Sequence, residues 1–290
     1  MRLPEQLQST IEAEFAGISN VSASGGGSIN QAARIDLNNG ESLFVKWNSA
    51  ELYDMFVVEE RGLSLLSDAD SGLKIPAPLR HDKIPEAGLS YLILEYLDEG
   101  RSTSETDTKL GEGLAALHQH TSDTYGLDHD NYIGRLPQYN DPHENWIDFL
   151  INQRFGPQLK MAMDSGLLDS RDRKSFEALY QRLPDILADE PASLLHGDLW
   201  GGNQFATGSG EPAIFDPAVY FGNREIELAF TYLFGGFGRN FYQAYHAAWP
   251  LQPGFDERKD IYNLYPLLVH VNLFGSVYAG QVKRIISRFS

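Results

Sequence analysis

Leu3, Leu7, Ile11 and Phe15 recur every four positions near the start of the chain, a spacing that stacks side chains on one face of a helix. The period then shortens to two. In ISNVSASGGGSINQAARIDL (18–37), Ala33, Ile35 and Leu37 alternate with polar neighbours, so the segment reads as strand, glycine turn, strand. NNG (38–40) is a hairpin turn and ESLFVKWN (41–48) the returning strand. A helix is expected from about Ala50 to Ser67, with Leu52, Phe56, Glu59, Leu63 and Leu66 down one side. IPAPLR (75–80) ends it, and LSYLILEYL (89–97) reads as a buried strand. The pattern predicts five strands with one inserted helix, a small lobe over residues 1–97.

After the polar connector DEGRSTSETD (98–107) the helical period takes over. Leu110, Leu114, Leu117 and His118 line one helix, and 143–163 and 169–183 supply two more. SLLHGDLWGGNQFATGSGEPAIFDPA (193–218) interrupts them with two short strands around the TGSGE turn, and helices resume from NREIELAF (223–230). The expected class is therefore α+β and bilobal: a small N-terminal antiparallel-sheet lobe, and a larger, mainly helical C-terminal lobe over residues 98–290.

Composition narrows the function. Forty acidic against 23 basic residues give a net charge of −17, which argues against a nucleic-acid partner, since that needs a basic footprint. The chain has no cysteine, which excludes disulfides, thiolate metal sites and thiol nucleophiles. LHQH (117–120) sets two histidines two apart, off a common helix face, so it reads as no zinc site. No run approaches the roughly 18 apolar residues of a membrane span. The first residues lack the basic flank and apolar core of a signal peptide. A cytoplasmic protein is expected, without a membrane partner, as a monomer or weak homodimer.

The chemistry concentrates in LLHGDLWGGN (194–203). Asn203 follows Asp198 by five positions, and Asp216 follows it by eighteen, at the end of the strand PAIFD. In a kinase cleft such an aspartate accepts the substrate hydroxyl's proton, while the asparagine and the second aspartate ligate Mg²⁺. Phosphoryl transfer needs this set because its transition state spreads charge over phosphate oxygens, so catalysis is positioning plus cations held by hard oxygen ligands. The competing reading is a structural hairpin capped by Asp and Asn, which leaves Asp216 unexplained. In SGGGSIN (24–30), the backbone of Gly25, Gly26, Gly27 and Ser28 could cover phosphates, although the run is not a full G-x-G-x-x-G and glycine hairpins are common. Lys46 lies on the next strand, and Glu59, thirteen residues later, sits on the apolar side of its helix, where a carboxylate wants a cationic partner. Glu60 competes with it for Lys46. NREIELAF begins within eight residues of Asp216, leaving no room for a peptide-docking activation segment, so a small-molecule kinase is favoured over a protein kinase.

These stretches resemble the fructosamine (ketosamine) kinase family, relatives of the aminoglycoside phosphotransferases. The resemblance runs through nearly the whole chain. It is carried by GGGSINQAARI, FVKWN, EERGLSLL, LAALHQ, DNYIGRLPQYN, NWIDFLINQRF, LLHGDLWGGN, DPAVYFGNREIELAF and LYPLLVHVNLFGSVY, the tryptophan of HGDLWGGN being its most specific mark. It implies a protein-kinase-like fold, ATP and Mg²⁺ as cofactors, and phosphorylation of the 3-hydroxyl of a ketosamine. By position it makes Asp198 the catalytic base, Asn203 and Asp216 the metal ligands, Lys46 the phosphate-binding lysine and Glu59 its partner. Glu95, Tyr96 and Leu97 fall at the hinge that receives adenine. Trp200 would wall the sugar pocket, or pack structurally; His196 would orient its loop and His118 sit in the core. Ser28 stands where eukaryotic members often carry cysteine, and Asn223 and Glu227 where aspartate is frequent, which loosens substrate contacts there. Two alternatives stay open: an aminoglycoside-, amino-sugar- or choline-type kinase, and an idle nucleotide-binding scaffold.

Overall fold

Helix α1 (Glu5–Glu14) buries Leu7 and Ile11 completely, against a sheet whose residues alternate between two faces. The structure is a computed structural model that describes residues 2–23 and 30–289. Its sheet comprises β1 (Ile18–Ala23), β2 (Gln31–Leu37), β3 (Ser42–Ser49), β4 (Pro78–Ile84) and β5 (Leu89–Glu95), ordered β1-β2-β3-β5-β4 and antiparallel throughout. On β3, Leu43, Val45 and Trp47 join the core under α1, whereas Phe44 packs with the cluster on the opposite face. Helix α2 (Tyr53–Asp68) covers that second face, where Phe56 and Leu63 meet Leu92 and Leu94. The alternation leaves Lys46 on the α2 side, buried, with Ala32 and Leu92 as its cross-strand neighbours.

Two details differ from the pattern reading. The fifth strand is β4, in the segment that had served only to stop the helix; Pro78 opens it at the sheet edge, where a missing N–H costs no ladder bond. Leu52 is 38% exposed rather than inward, because a 3₁₀ turn over Ala50–Leu52 precedes α2 and breaks the helical phase.

After β5, α3 (Ser104–His118) opens with a capping box between Thr103 and Thr106 and buries Leu110, Leu114, Leu117 and His118. Two short pieces follow, β6 (Thr121–Ser122) and the hairpin β7 (Asn131–Ile133) with β8 (Leu136–Gln138). The helix expected over 143–163 is divided: α4 (Trp146–Phe149), a π turn (Leu150–Phe155), then α5 (Gly156–Asp164). Pro157 has no N–H to offer the carbonyl four residues back, and the Gly156 N–H bonds Ile151 O, five back, widening the turn. Helix α6 (Ser170–Ile186), capped by Asp169, leads to β9 (Ala192–Leu195) and the hairpin β10 (Gln204–Ala206) with β11 (Pro212–Ile214). Strand β12 (Tyr220–Gly222) pairs with β9, which pairs in turn with β6. Five helices close the chain: α7 (Arg224–Tyr232), α8 (Arg239–Ala248), α9 (Phe255–Tyr262), α10 (Leu264–Phe274) and α11 (Ala279–Ile286). One continuous apolar core joins α3 to α11. No helix among the described residues is long and apolar enough to cross a membrane.

Candidate active site

The loop between β9 and β10 carries His196, Gly197, Asp198, Trp200 and Asn203. Gly197 has φ of +85°, and a Cβ there would collide with the Ala218 carbonyl, so only glycine lets the chain turn at this point. The later glycines act differently. Neither Gly201 nor Gly202 takes a positive φ; Gly202 is needed because the Trp200 indole lies directly over it, where a Cβ would strike the ring.

Asn203 Nδ2 donates to both the backbone carbonyl and Oδ2 of Asp198, at 2.8 and 2.9 Å, so the five-residue offset is closed by the pair itself. His196 is fully buried. Its Nδ1 accepts the Asp198 N–H at 3.3 Å, which leaves Nε2 to donate to Phe215 O at 2.9 Å and ties the loop to the strand-end bearing Asp216. Burial holds its pKa below the ordinary histidine value, so it is a neutral strut. Asp198 is pushed the other way: burial, with the charges of Asp216 and Glu227, raises its carboxyl well above the usual range against the bond from Asn203. A carboxylate destabilised in this manner is a readier proton acceptor.

Asp216 adopts φ of +56°, a left-handed conformation that costs a non-glycine residue on the order of 1 kcal/mol and tends to mark functional positions. Its Oδ1 meets Lys46 Nζ, which also donates to Glu59 Oε1 at 2.6 Å. Burial works against the ammonium, but the carboxylates of Asp216 and Glu59 outweigh it and hold the lysine pKa above its ordinary value. Glu59, sharing that one cation with Asp216, is pushed up by burial. Glu60 is not the partner: it accepts from Ser64 Oγ at 3.2 Å, one turn along the same helix.

Lys46, Asn203 and Asp216 line one cleft with Glu95, Tyr96, Leu97 and Trp200. Its hinge end is a slot between Ala32 and Leu94 on one side and Phe205 and Phe215 on the other. The Glu95 N–H is already donated to Ala77 O at 2.8 Å, so a hinge donor for a bound base must come from Tyr96 or Leu97. The Tyr96 ring carries the Arg34 guanidinium 4.3 Å above its centroid. Gly25, Gly26, Gly27 and Ser28 lie outside the described residues. Asn203, with Nδ2 committed to Asp198, offers Oδ1, and Asp216, with Oδ1 committed to Lys46, offers Oδ2. One neutral and one anionic hard oxygen suit Mg²⁺ completed by phosphate oxygens. Among the described residues no cluster of three His, Cys, Asp or Glu could hold a metal alone.

The profile of the fructosamine kinase family matches residues 2–290. The chain belongs to that family. Ketosamine-3-kinase of Mus musculus is 39% identical to it over 309 residues, covering 94% of this chain and 97% of the mouse protein. A crystal structure from Thermobifida fusca, described provisionally as a fructosamine-3-kinase, superposes with a TM-score of 0.86 at 30% identity, covering 99% of this chain and all of the other. An aminoglycoside phosphotransferase solved with AMP-PNP and hygromycin B shares the fold at a TM-score of 0.62 and 20% identity, over 98% of each chain. The fold is thus the bilobal, kinase-like α+β arrangement expected.

Within this family member the role of Glu227, named from the sequence only as a position near substrate, went unread. Glu227, on α7, is buried behind the Asp198 loop; its Oε1 accepts the Gly197 N–H at 2.6 Å, and its Oε2 accepts the His196 N–H at 3.1 Å. His118 of α3 donates Nε2–H to the same Oε2 at 2.9 Å and accepts from Tyr245 Oη at 2.8 Å. Burial raises the Glu227 pKa, but His118, His196 and the Gly197 N–H outweigh it and keep it a carboxylate. A signal existed: an acidic residue inside the apolar run EIELAF raises the same question as Glu59. Its neighbour Glu225 has a different answer, forming a buried bidentate pair with Arg258 at 2.6 and 2.7 Å. Asn223 is fully buried and caps α7, accepting from the Glu225 N–H, so it takes no part in the cleft. Trp200 is 39% exposed, edge-on to Phe234 at 6.5 Å, and lines both this cleft and a second groove that contains Asp198.

Proposed function

We propose that this protein transfers the γ-phosphoryl group of ATP to the 3-hydroxyl of a ketosamine. The observation that carries this reading is the convergence of Asp198, Asn203, Asp216 and the Lys46–Glu59 pair on one cleft, in a member of the fructosamine kinase family. The mouse relative's name and the AMP-PNP held by the structural neighbour support the acceptor class and the nucleotide.

Asp198 takes the proton of the acceptor hydroxyl as its oxygen bonds to the γ-phosphorus. The bond from that phosphorus to the β–γ bridging oxygen breaks, and ADP departs. Lys46, released from Asp216 toward the phosphates and steadied by Glu59, neutralises charge on the nucleotide. Asn203 and Asp216 would hold Mg²⁺, which would neutralise phosphate charge there. Tyr96 and Leu97 receive adenine, and Trp200 walls the sugar pocket. Residues 1–97 form the nucleotide-binding lobe and 98–290 the catalytic and substrate-binding lobe, in the cytoplasm, where ATP is available.

ADP release measured over fructosyl- and ribulosyl-amines, aminoglycosides and choline tests this reading. A ketosamine should lead by about tenfold or more in kcat/KM, roughly 1.4 kcal/mol of discrimination, with NMR placing phosphate on O3. An aminoglycoside or choline at equal efficiency, or phosphate at another carbon, refutes it.

A further inference from the structure

The second groove runs outward from Asp198 between α2, β7 and α10. Its charged lining residues are Lys46, Glu59, Asp198 and Asp216, and these sit together: Lys46 contacts both Glu59 and Asp216, and Asp198 is tied to Asn203. Beyond them the character changes. Met55 and Val58 come from α2, Tyr132 and Ile133 from β7, and Leu273 and Phe274 from the last turn of α10. The Tyr132 hydroxyl is already engaged, donating to Asp54 at 3.2 Å on the exposed rim.

An aromatic layer backs the α10 wall. His270 is also in the lining, with ring centroids of Phe234 at 4.6 Å, Tyr278 at 5.0 Å and Phe274 at 5.4 Å from its own. Its Nδ1 is occupied by Pro266 O at 2.7 Å, and burial lowers its pKa, so this wall is uncharged at neutral pH. Phe234 holds φ of +49°, followed by Gly235 at +111° and Gly236 at +75°. Only Phe234 is strained in this tip, the two glycines taking positive φ freely, and its ring is placed between His270 and Trp200. Phe274 remains 53% exposed, an apolar surface left open at the groove's edge.

The chemistry of the acceptor says what would lie there. In a ketosamine the amine is on C1, two carbons from C3. With the 3-hydroxyl at Asp198, the nitrogen's substituent leaves the charged end within a few bonds. The cleft beyond Trp200 is taken by the nucleotide, so the substituent has this groove. We infer that the groove is the subsite for the group borne on the ketosamine nitrogen, and that it selects uncharged apolar or aromatic groups over charged ones. This rests on the proposed function and deepens it: the enzyme discriminates among ketosamines by the amine as well as by the sugar.

The test is a series of 1-amino-1-deoxyfructose derivatives carrying methyl, butyl, phenethyl or 4-aminobutyl on nitrogen. From methyl to phenethyl, kcat/KM should rise about tenfold, mostly through KM, and 4-aminobutyl should trail butyl by a similar factor. Phe274→Asp puts a carboxylate at the groove's open edge without burying it, and should reverse the order of butyl and 4-aminobutyl. Leu273→Ser, on the same wall, should shrink the phenethyl gain to about threefold or less. A flat series in the wild type, a preference for 4-aminobutyl, or an unchanged order in Phe274→Asp overturns the subsite while the kinase reading stands. Failure to phosphorylate any derivative, alongside turnover of an aminoglycoside, overturns both.

Discussion

Replacing Glu227 by glutamine exchanges one oxygen for an amide nitrogen at a residue expected to touch neither substrate, yet it should cost about two orders of magnitude in kcat. Three N–H donors converge on this carboxylate: Gly197 N on Oε1, and His196 N with His118 Nε2 on Oε2. An amide has one acceptor oxygen. Placed at the Oε2 position it serves two donors, but its NH₂ then faces the Gly197 N–H. A buried donor left unsatisfied costs about 1–3 kcal/mol, and the lost charge-assisted bond is of similar size. The chain relieves this by moving Gly197, and Asp198 is the next residue. Displacing a reacting group by about 1 Å is worth roughly 10²-fold in rate. Lys46 and Asp216 make no hydrogen bond with Glu227, so ATP affinity should stay within about threefold of wild type. Glu227→Asp keeps the charge but shortens the reach by one methylene, and should fall between, near tenfold. Steady-state kinetics with a fructosyl amine, nucleotide titration and a thermal melt separate the terms. If the glutamine variant turns over within about threefold of wild type while folded, or loses ATP affinity as steeply as kcat, the loop-anchoring argument is wrong.

Other outcomes follow from the same geometry. Asp198→Asn should lose about 10²–10⁴-fold in kcat. It should also melt higher, by about 0.5–2 kcal/mol of stability, because a carboxyl whose pKa is raised by folding destabilises the fold once ionised; a lower melting temperature refutes this. Lys46→Met and Glu59→Gln should each weaken ATP use, and a double-mutant cycle should find them non-additive by about 0.5 kcal/mol or more; full additivity means the 2.6 Å pair has no role in turnover. Asp216→Ala should abolish the Mg²⁺ dependence of nucleotide affinity, and an unchanged dependence in titrations with and without Mg²⁺ rules out Asp216 as a ligand. Stability should fall as pH drops below about 6.5, since His118, His196 and His270 have pKa values lowered by burial and take up protons on unfolding. Their combined slope is at most about 4 kcal/mol per pH unit, opposed by Asp198 and Glu59, whose raised carboxyls take up protons in the fold, while protonation of Glu227 adds to the loss below about pH 4.5. Denaturant melts of Asp198→Asn from pH 8 to 5, where the Asp198 offset is absent, check this; stability that is flat or rises toward pH 5 refutes it.

Much of the site's geometry could be read from the chain because each piece depends on one segment's own shape. Alternation along β3 separates Lys46 from Val45 and Trp47, and helical phase sets Glu59 rather than Glu60 toward the lysine. The five-residue offset between Asp198 and Asn203 is a span their own side chains close. Fold class was legible for the same reason, since a two-residue period giving way to a helical one needs no knowledge of what packs against what. The misreadings sit where a neighbour overrides local pattern. Leu52 loses its helical phase to a 3₁₀ turn, and the proline after Gly156 widens a helix that periodicity drew as continuous. The anchoring role of Glu227 was missed because it satisfies backbone donors 30 and 31 residues away and a histidine 109 away, and a backbone N–H looks the same at every position of a sequence. The groove beside Asp198 is likewise invisible in one dimension: Met55, Tyr132 and Phe274 become one surface only when α2, β7 and α10 meet. Periodicity and spacing report a segment's own geometry, and so can be read from composition along the chain. Which buried donor finds an acceptor, and which apolar side chains stay open to a ligand, depends on the meeting of distant segments, and only the tertiary structure decides that.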